Sequence, residues 1–172
     1  GENGLEEYTT VINDGVCEMP VMLAYHTTVN LDFCGDMQNV KLQVPVTQEY
    51  LRDKNFLPTG ETAYGRPRDL ALANGEFVPA KQPFSAFYKA NDKTVALFKG
   101  AGASVYYEAE SIVGYRMLYR GDGDGFAVCE PQTCVIDCLH FEQKPEELGL
   151  IVLSGGESKI FYTRICIEKN DN

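Results

Sequence analysis

The chain has 172 residues, 44% of them hydrophobic and 23% charged, a size and balance that point to one folded domain with a proper core rather than to a disordered chain. Its 25 acidic against 15 basic residues leave a formal charge of −10 with no Lys/Arg-rich run, which works against nucleic acid and anionic membranes as partners. The longest apolar runs, such as Thr94–Phe98, are too short to span a bilayer, so membrane insertion is not expected either.

In chain order, residues 1–7 are polar and read as a frayed tail, and the absence of an initiator Met reads as processing or excision from a longer polypeptide. A short strand over Tyr8–Ile12 meets the Asn13-Asp14-Gly15 turn signal. Val21–Val29 reads as a long strand continued by Leu31–Cys34, and Val40–Val44 alternates apolar and polar residues as a half-buried strand does. Thr47–Lys54 is expected to form a two-turn helix, capped by Thr47 and stopped before Pro58. Residues 57–83, with four prolines and three glycines, read as a long irregular segment and a candidate binding loop carrying Tyr64, Arg66 and Arg68. A helical turn is expected at Arg68–Leu72, because Pro67 suits a first helical position.

From Phe84 the pattern is strand after strand: Phe84–Lys89, a turn at Ala90-Asn91-Asp92, Lys93–Lys99, a glycine turn at 100–102, Ala103–Ala109 and Ile112–Tyr119. The break Arg120–Gly125 precedes Phe126–Cys129, and a second break at Glu130–Thr133 precedes an expected strand over Cys134–Phe141. Lys144–Leu148 reads as one helical turn, and Gly149–Ser154 and Lys159–Glu168 as a hairpin joined through Gly155-Gly156-Glu157. About ten strands with one or two short helical turns predict an all-β antiparallel barrel or sandwich over 1–172.

The six cysteines have none of the close paired spacings of structural zinc, and in an extended strand Cys134 and Cys138 stand roughly 13 Å apart, so no metal site is expected. Cys129 and Cys134, placed on either side of a four-residue turn, are the disulfide candidate. Arg120-Gly121-Asp122 at an expected hairpin tip spells an integrin-type tripeptide, and Asp122 with Asp124 offers oxygens to a hard cation without the remaining carboxylates of a calcium loop. His26 and His140 both fall in strand patterns, where a structural histidine is the ordinary reading, and no nucleophile elbow, phosphate loop or dinucleotide fingerprint occurs. Ten tyrosines and no tryptophan, with Tyr115 and Tyr119 near strand ends, supply anchors of the kind recognition surfaces use.

No catalytic residues and no cofactor are therefore expected. The composition, the lack of N-glycosylation acceptors and the missing Met fit a non-enzymatic attachment module of an extracellular or virion surface, such as a viral capsid spike, binding a host receptor or glycan as a homodimer. Its expected contact residues are Arg120, Asp122, Asp124, Tyr115, Tyr119, Tyr64, Arg66 and Arg68. The alternatives are a lipocalin-like small-molecule carrier, disfavoured by the absent Trp, and a glycosidase-like enzyme with dispersed carboxylates.

Overall fold

The computed structural model describes residues 4–90 and 94–170. Among them are thirteen strands and one α-helix: β1 (Gly4–Ile12), β2 (Met19–Val21), β3 (Thr27–Asn30), β4 (Lys41–Gln43), β5 (Val46–Arg52), β6 (Pro58–Ala63), α1 (Pro67–Asn74), β7 (Phe84–Ala90), β8 (Thr94–Lys99), β9 (Ala103–Ala109), β10 (Tyr115–Arg120), β11 (Phe126–Gln132), β12 (Ile151–Leu153) and β13 (Ser158–Lys169). They form an antiparallel sandwich: a five-stranded sheet ordered β1-β13-β9-β8-β4, a six-stranded sheet ordered β3-β11-β10-β7-β5-β6, and a small β12-β2 ribbon. The all-β expectation holds, and the architecture is a sandwich.

Period-two alternation builds the core. Phe84, Ala86 and Tyr88 of β7, Leu118 of β10, and Ala127 and Cys129 of β11 point from the six-stranded sheet toward Val105 and Tyr107 of β9, Phe98 of β8 and Phe161 of β13, all buried. α1 closes one end of this core with Leu72, starting at Pro67 as its sequence signal implies and ending on Gly75, whose φ of 71° is the left-handed C-cap conformation.

Several local expectations are corrected. Residues 46–52 are strand, not helix: β5 lies between β7 and β6, and register shifts at Val46/Gln48 and Tyr50/Arg52 destroy the alternation that would have announced it. Glu130–Gln132 of the supposed break are the second half of β11. Residues 134–141 form no strand but a folded cover, with Asp137 at a φ of 57° and a 3-10 turn at Cys138–His140; Val135 and Ile136 read as strand residues because they are apolar and β-branched, yet they pack as loop. β12 and β13 are no hairpin, since β12 pairs β2 whereas β13 lies between β1 and β9. Gly4–Glu7, expected to fray, pair with β13, and residues 1–3 lie outside the described residues, as do Asn91 and Asp92 of the expected turn. The long strand over Val21–Val29 is split between β2 and β3, and 57–83 contains β6, α1 and a 3-10 turn.

The Cys129–Cys134 disulfide is also corrected. Both residues lie along one run of chain with no turn between them, Cys129 in the inter-sheet core and Cys134 in a second apolar cluster on the opposite face of the six-stranded sheet. All six cysteines are free thiols.

Candidate active site

The six-stranded sheet has a second face, turned away from the core. Part of it is roofed by residues 134–150, whose Cys134, Val135, Cys138, Leu148 and Leu150 pack on Tyr50, Phe87 and Tyr115. The rings of Phe87 and Tyr115 stack at 5.8 Å, and Phe141 meets Tyr50 edge-on at 6.3 Å. Burial, followed by the neighbouring Cys138, pushes the Cys134 thiol up to about 11.

The rest of this face is open, and an acid and a base meet on it. In β11, Cys129 and Pro131 are buried, so the side chain between them, Glu130, projects outward. Across from it, the bridge Ala24↔Gln132 and the pair Thr27↔Cys129 put His26 opposite Glu130. The two neighbours of His26 hold it there. Tyr25 donates its backbone N–H to the Pro131 carbonyl at 3.1 Å and sinks its ring into the core, and Thr27 donates its hydroxyl inward to Tyr107 at 2.8 Å. His26 Nε2 stands 3.0 Å from Glu130 Oε1; the histidine side chain is 74% exposed and the glutamate 16%. Gln132 Nε2 donates to the other oxygen, Oε2, at 3.2 Å. The carboxylate is thus held through one oxygen while the other lies within hydrogen-bond distance of an accessible imidazole, an arrangement suited to general acid–base work.

The cross-strand register extends the site. Met117 pairs with Glu130, and Tyr119 pairs with Val128 on one side and Ser85 on the other, so these side chains share the open face with the His26–Glu130 pair. Tyr119 is 41% exposed. At the far side Arg52 Nη2 donates to Ser85 Oγ at 2.8 Å. A second histidine–carboxylate contact, His140 Nδ1 with Asp137, lies in the roof beside a cavity of about 300 Å³ that is also lined by Thr59, Phe141 and Glu142. Among the described residues no three His, Cys, Asp or Glu side chains are grouped so as to hold a metal ion.

The expected contact residues are scattered. Arg120 is buried and its Nε donates to the Asp124 carbonyl at 3.1 Å; Asp124 Oδ2 accepts from the Gly121 N–H at 2.8 Å, so the tripeptide residues serve to close their own turn. Asp122 lies in the same turn between β10 and β11. Tyr115 is buried beneath the roof, and Tyr64 is exposed just past β6. Arg66 and Arg68 are taken up by a closed cluster with α1: both reach Glu49 Oε2, Arg68 Nη2 at 2.6 Å, while Arg68 Nε donates to the Tyr88 hydroxyl at 3.0 Å. That hydroxyl donates in turn to Asp69 Oδ1 at 2.8 Å. Of the whole set, Tyr119 alone shares the open face with the acid–base pair. The reading of His26 as merely structural missed the site, and its one local signal was that both neighbours, Tyr25 and Thr27, suit a buried strand face.

No family model matches the chain. Solved structures do. A galactose mutarotase-like protein from Clostridium acetobutylicum superposes with a TM-score of 0.87 at 24% identity, covering 98% of this chain and 54% of that one. A putative aldose 1-epimerase from Escherichia coli K12 gives 0.80 at 20% identity over 98% and 57%, and a galactose 1-epimerase from Lactobacillus acidophilus gives 0.71 at 13% over 99% and 55%. The chain therefore spans about half the length of the structures it matches, and what it shares with them is the fold. The attachment-module expectation is overturned by these matches: the neighbours are described as sugar mutarotases and epimerases, not capsid spikes or carriers. The non-enzymatic receptor binder, the lipocalin-like carrier and the glycosidase-like alternative fall with it.

Proposed function

We propose that the protein is a sugar epimerase working at the anomeric carbon, interconverting the α and β forms of an aldose by acid–base catalysis. The observation that carries this reading is the His26–Glu130 pair at 3.0 Å on the open face of the six-stranded sheet. The fold of galactose mutarotase-like and aldose 1-epimerase proteins supports it.

Anomer exchange needs one proton removed and one supplied. Glu130 takes the proton of the anomeric hydroxyl while His26, as imidazolium, gives a proton to the ring oxygen. The bond between C1 and the ring oxygen breaks, the electrons on the anomeric oxygen become the second half of a carbonyl, and the open-chain aldehyde results. Rotation about the C1–C2 bond presents the other carbonyl face; the ring hydroxyl then attacks it, returning its proton to His26 as the carbonyl oxygen recovers one from Glu130. No net proton or electron is exchanged, so the pair ends each turnover as it began. Gln132, bonded to Glu130 Oε2, keeps Oε1 facing the substrate.

Polarimetry on freshly dissolved α-D-glucose and α-D-galactose tests the reading. The protein is expected to speed the drift to equilibrium, and Glu130→Gln and His26→Asn each to slow it about 10²-fold or more at unchanged circular dichroism. A rate equal to buffer with the unaltered protein, or full activity in Glu130→Gln, would overturn it.

A further inference from the structure

We infer that Arg52 is the anchor for the end of the substrate remote from the anomeric carbon, and that this end carries an anionic group. The inference rests on the epimerase reading for the sugar, and on independent geometry for the anion.

Arg52 is half-buried in a chain with a large excess of acids, yet among the described residues it forms no ion pair. Its bonded partners are neutral: Ser85 Oγ, which accepts from Nη2 at 2.8 Å, and the ring of Phe56, whose centroid lies 5.5 Å from the guanidinium carbon. The two acids that share its concavity of about 310 Å³ are committed elsewhere. Glu49 takes Arg66 and Arg68, and Asp53 holds its own turn, with Oδ1 accepting the N–H groups of Asn55 at 2.8 Å and Leu57 at 3.0 Å. A cation kept from carboxylates in this way leaves the rest of its donor fork available to a ligand.

The turn that presents it is strained. Phe56 has a φ of 64°, a left-handed conformation rare for a bulky residue, and the residue is 63% exposed. Nothing in the core is gained from that conformation; it puts an aromatic surface against the guanidinium. Together with Ser85 it fixes the direction of the fork.

Spacing decides which part of a sugar Arg52 meets. Ser85 shares the open face with Tyr119, two strands over from Glu130 and one side-chain row along, an offset of roughly 12 Å from ordinary strand spacing and rise. That separation suits a hexose bearing a substituent beyond its ring, lying across Met117 and Tyr119. Planar, bidentate donors at that distance match a carboxylate or a phosphate monoester on the terminal carbon.

Binding of non-reacting analogues tests this separately from catalysis. 1,5-Anhydro-D-glucitol has no anomeric hydroxyl; its affinity is compared by calorimetry with those of its 6-phosphate and of the corresponding 6-carboxylate. The protein is expected to bind at least one anionic analogue about tenfold more tightly than the neutral one, and which of the two it prefers identifies the anion. Arg52→Met should bring all three within about twofold, Arg52→Lys should keep part of the preference, and Ser85→Ala should reduce it without abolishing it. Equal affinity for neutral and anionic analogues in the unaltered protein, or an equal loss for all three in Arg52→Met with an unchanged melting curve, would overturn the inference. If instead mutarotation fails while the anionic preference and its dependence on Arg52 persist, the epimerase reading falls and the anion site stands.

Discussion

Two groups of acids and bases sit on the six-stranded sheet, and they differ in how completely their hydrogen-bonding capacity is used. Around α1, Glu49, Asp69, Arg66, Arg68 and Tyr88 bond to one another, with Asp69 and Tyr88 fully buried. On the open face, His26, Glu130, Arg52 and Ser85 have partners on one side and solvent on the other. The first group is a closed network that holds α1 to the sheet; the second is oriented but unfinished, which is what a ligand site requires. Density of charge does not separate the two. The open valence does.

The contrast is tested most severely by removing an acid from each group in turn. Asp69→Ala takes the acceptor from the buried Tyr88 hydroxyl and leaves Arg66 with Glu49 alone, and is expected to cost about 3 kcal/mol. Glu130→Ala, which frees a largely exposed His26 and the Gln132 amide, should cost at most about 1 kcal/mol while removing the proposed anomer exchange. Urea melts of the two variants, each with a polarimetric assay, check the contrast; equal destabilisation would mean that the acid–base pair is a structural element like the other. A finer probe is Tyr88→Phe. It deletes one hydroxyl that both accepts from Arg68 and donates to Asp69, for an expected loss of about 1–3 kcal/mol by the same melts, with anomer exchange per folded molecule unchanged.

The smallest effect is on pH dependence. Burial alone would raise the Asp69 pKa, but the hydrogen bonds from Tyr88 and from the Arg66 backbone and side chain, with the Arg66 charge, outweigh it and hold the carboxyl below its ordinary value. A depressed folded value means that the contribution is complete above the unfolded pKa near ~4 and is lost as pH falls through the folded one. At the alkaline end the signs reverse. Burial raises Cys129 and Tyr107, each to about 12, so their contribution is complete below the unfolded values and drains away as pH climbs toward 12. Melting temperature against pH should therefore show a plateau with shoulders at both ends, and Asp69→Asn should flatten only the acidic one.

Much of the fold was legible because its causes are local. The alternation in Phe84–Lys89, Ala103–Ala109 and Tyr115–Tyr119 announced strands β7, β9 and β10, since a side chain on a pleated strand points to the face its polarity suits. Pro67 announced α1, because a first helical position has no use for an N–H. Strand β5 was not legible. Its two register shifts turn residues off the period-two pattern, and only pairing with β6 and β7 makes it a strand. Likewise Val135, Ile136 and Cys134 showed that they would be buried but not against what.

What the sequence determined by itself, then, was chemistry and periodicity: an acidic all-β chain whose strands alternate and whose turns carry Gly, Asn, Asp and Pro. What only the tertiary structure decided was which residues meet. His26 and Glu130 are far apart in the chain, each within an extended segment, and they become a pair because β3 lies antiparallel to β11 in this register. A slip of one residue would have buried Glu130 and exposed Cys129. Burial and strand pairing, both non-local, left Glu130 on the outer face of the sheet with an imidazole beside it, and no property of either segment alone encodes that.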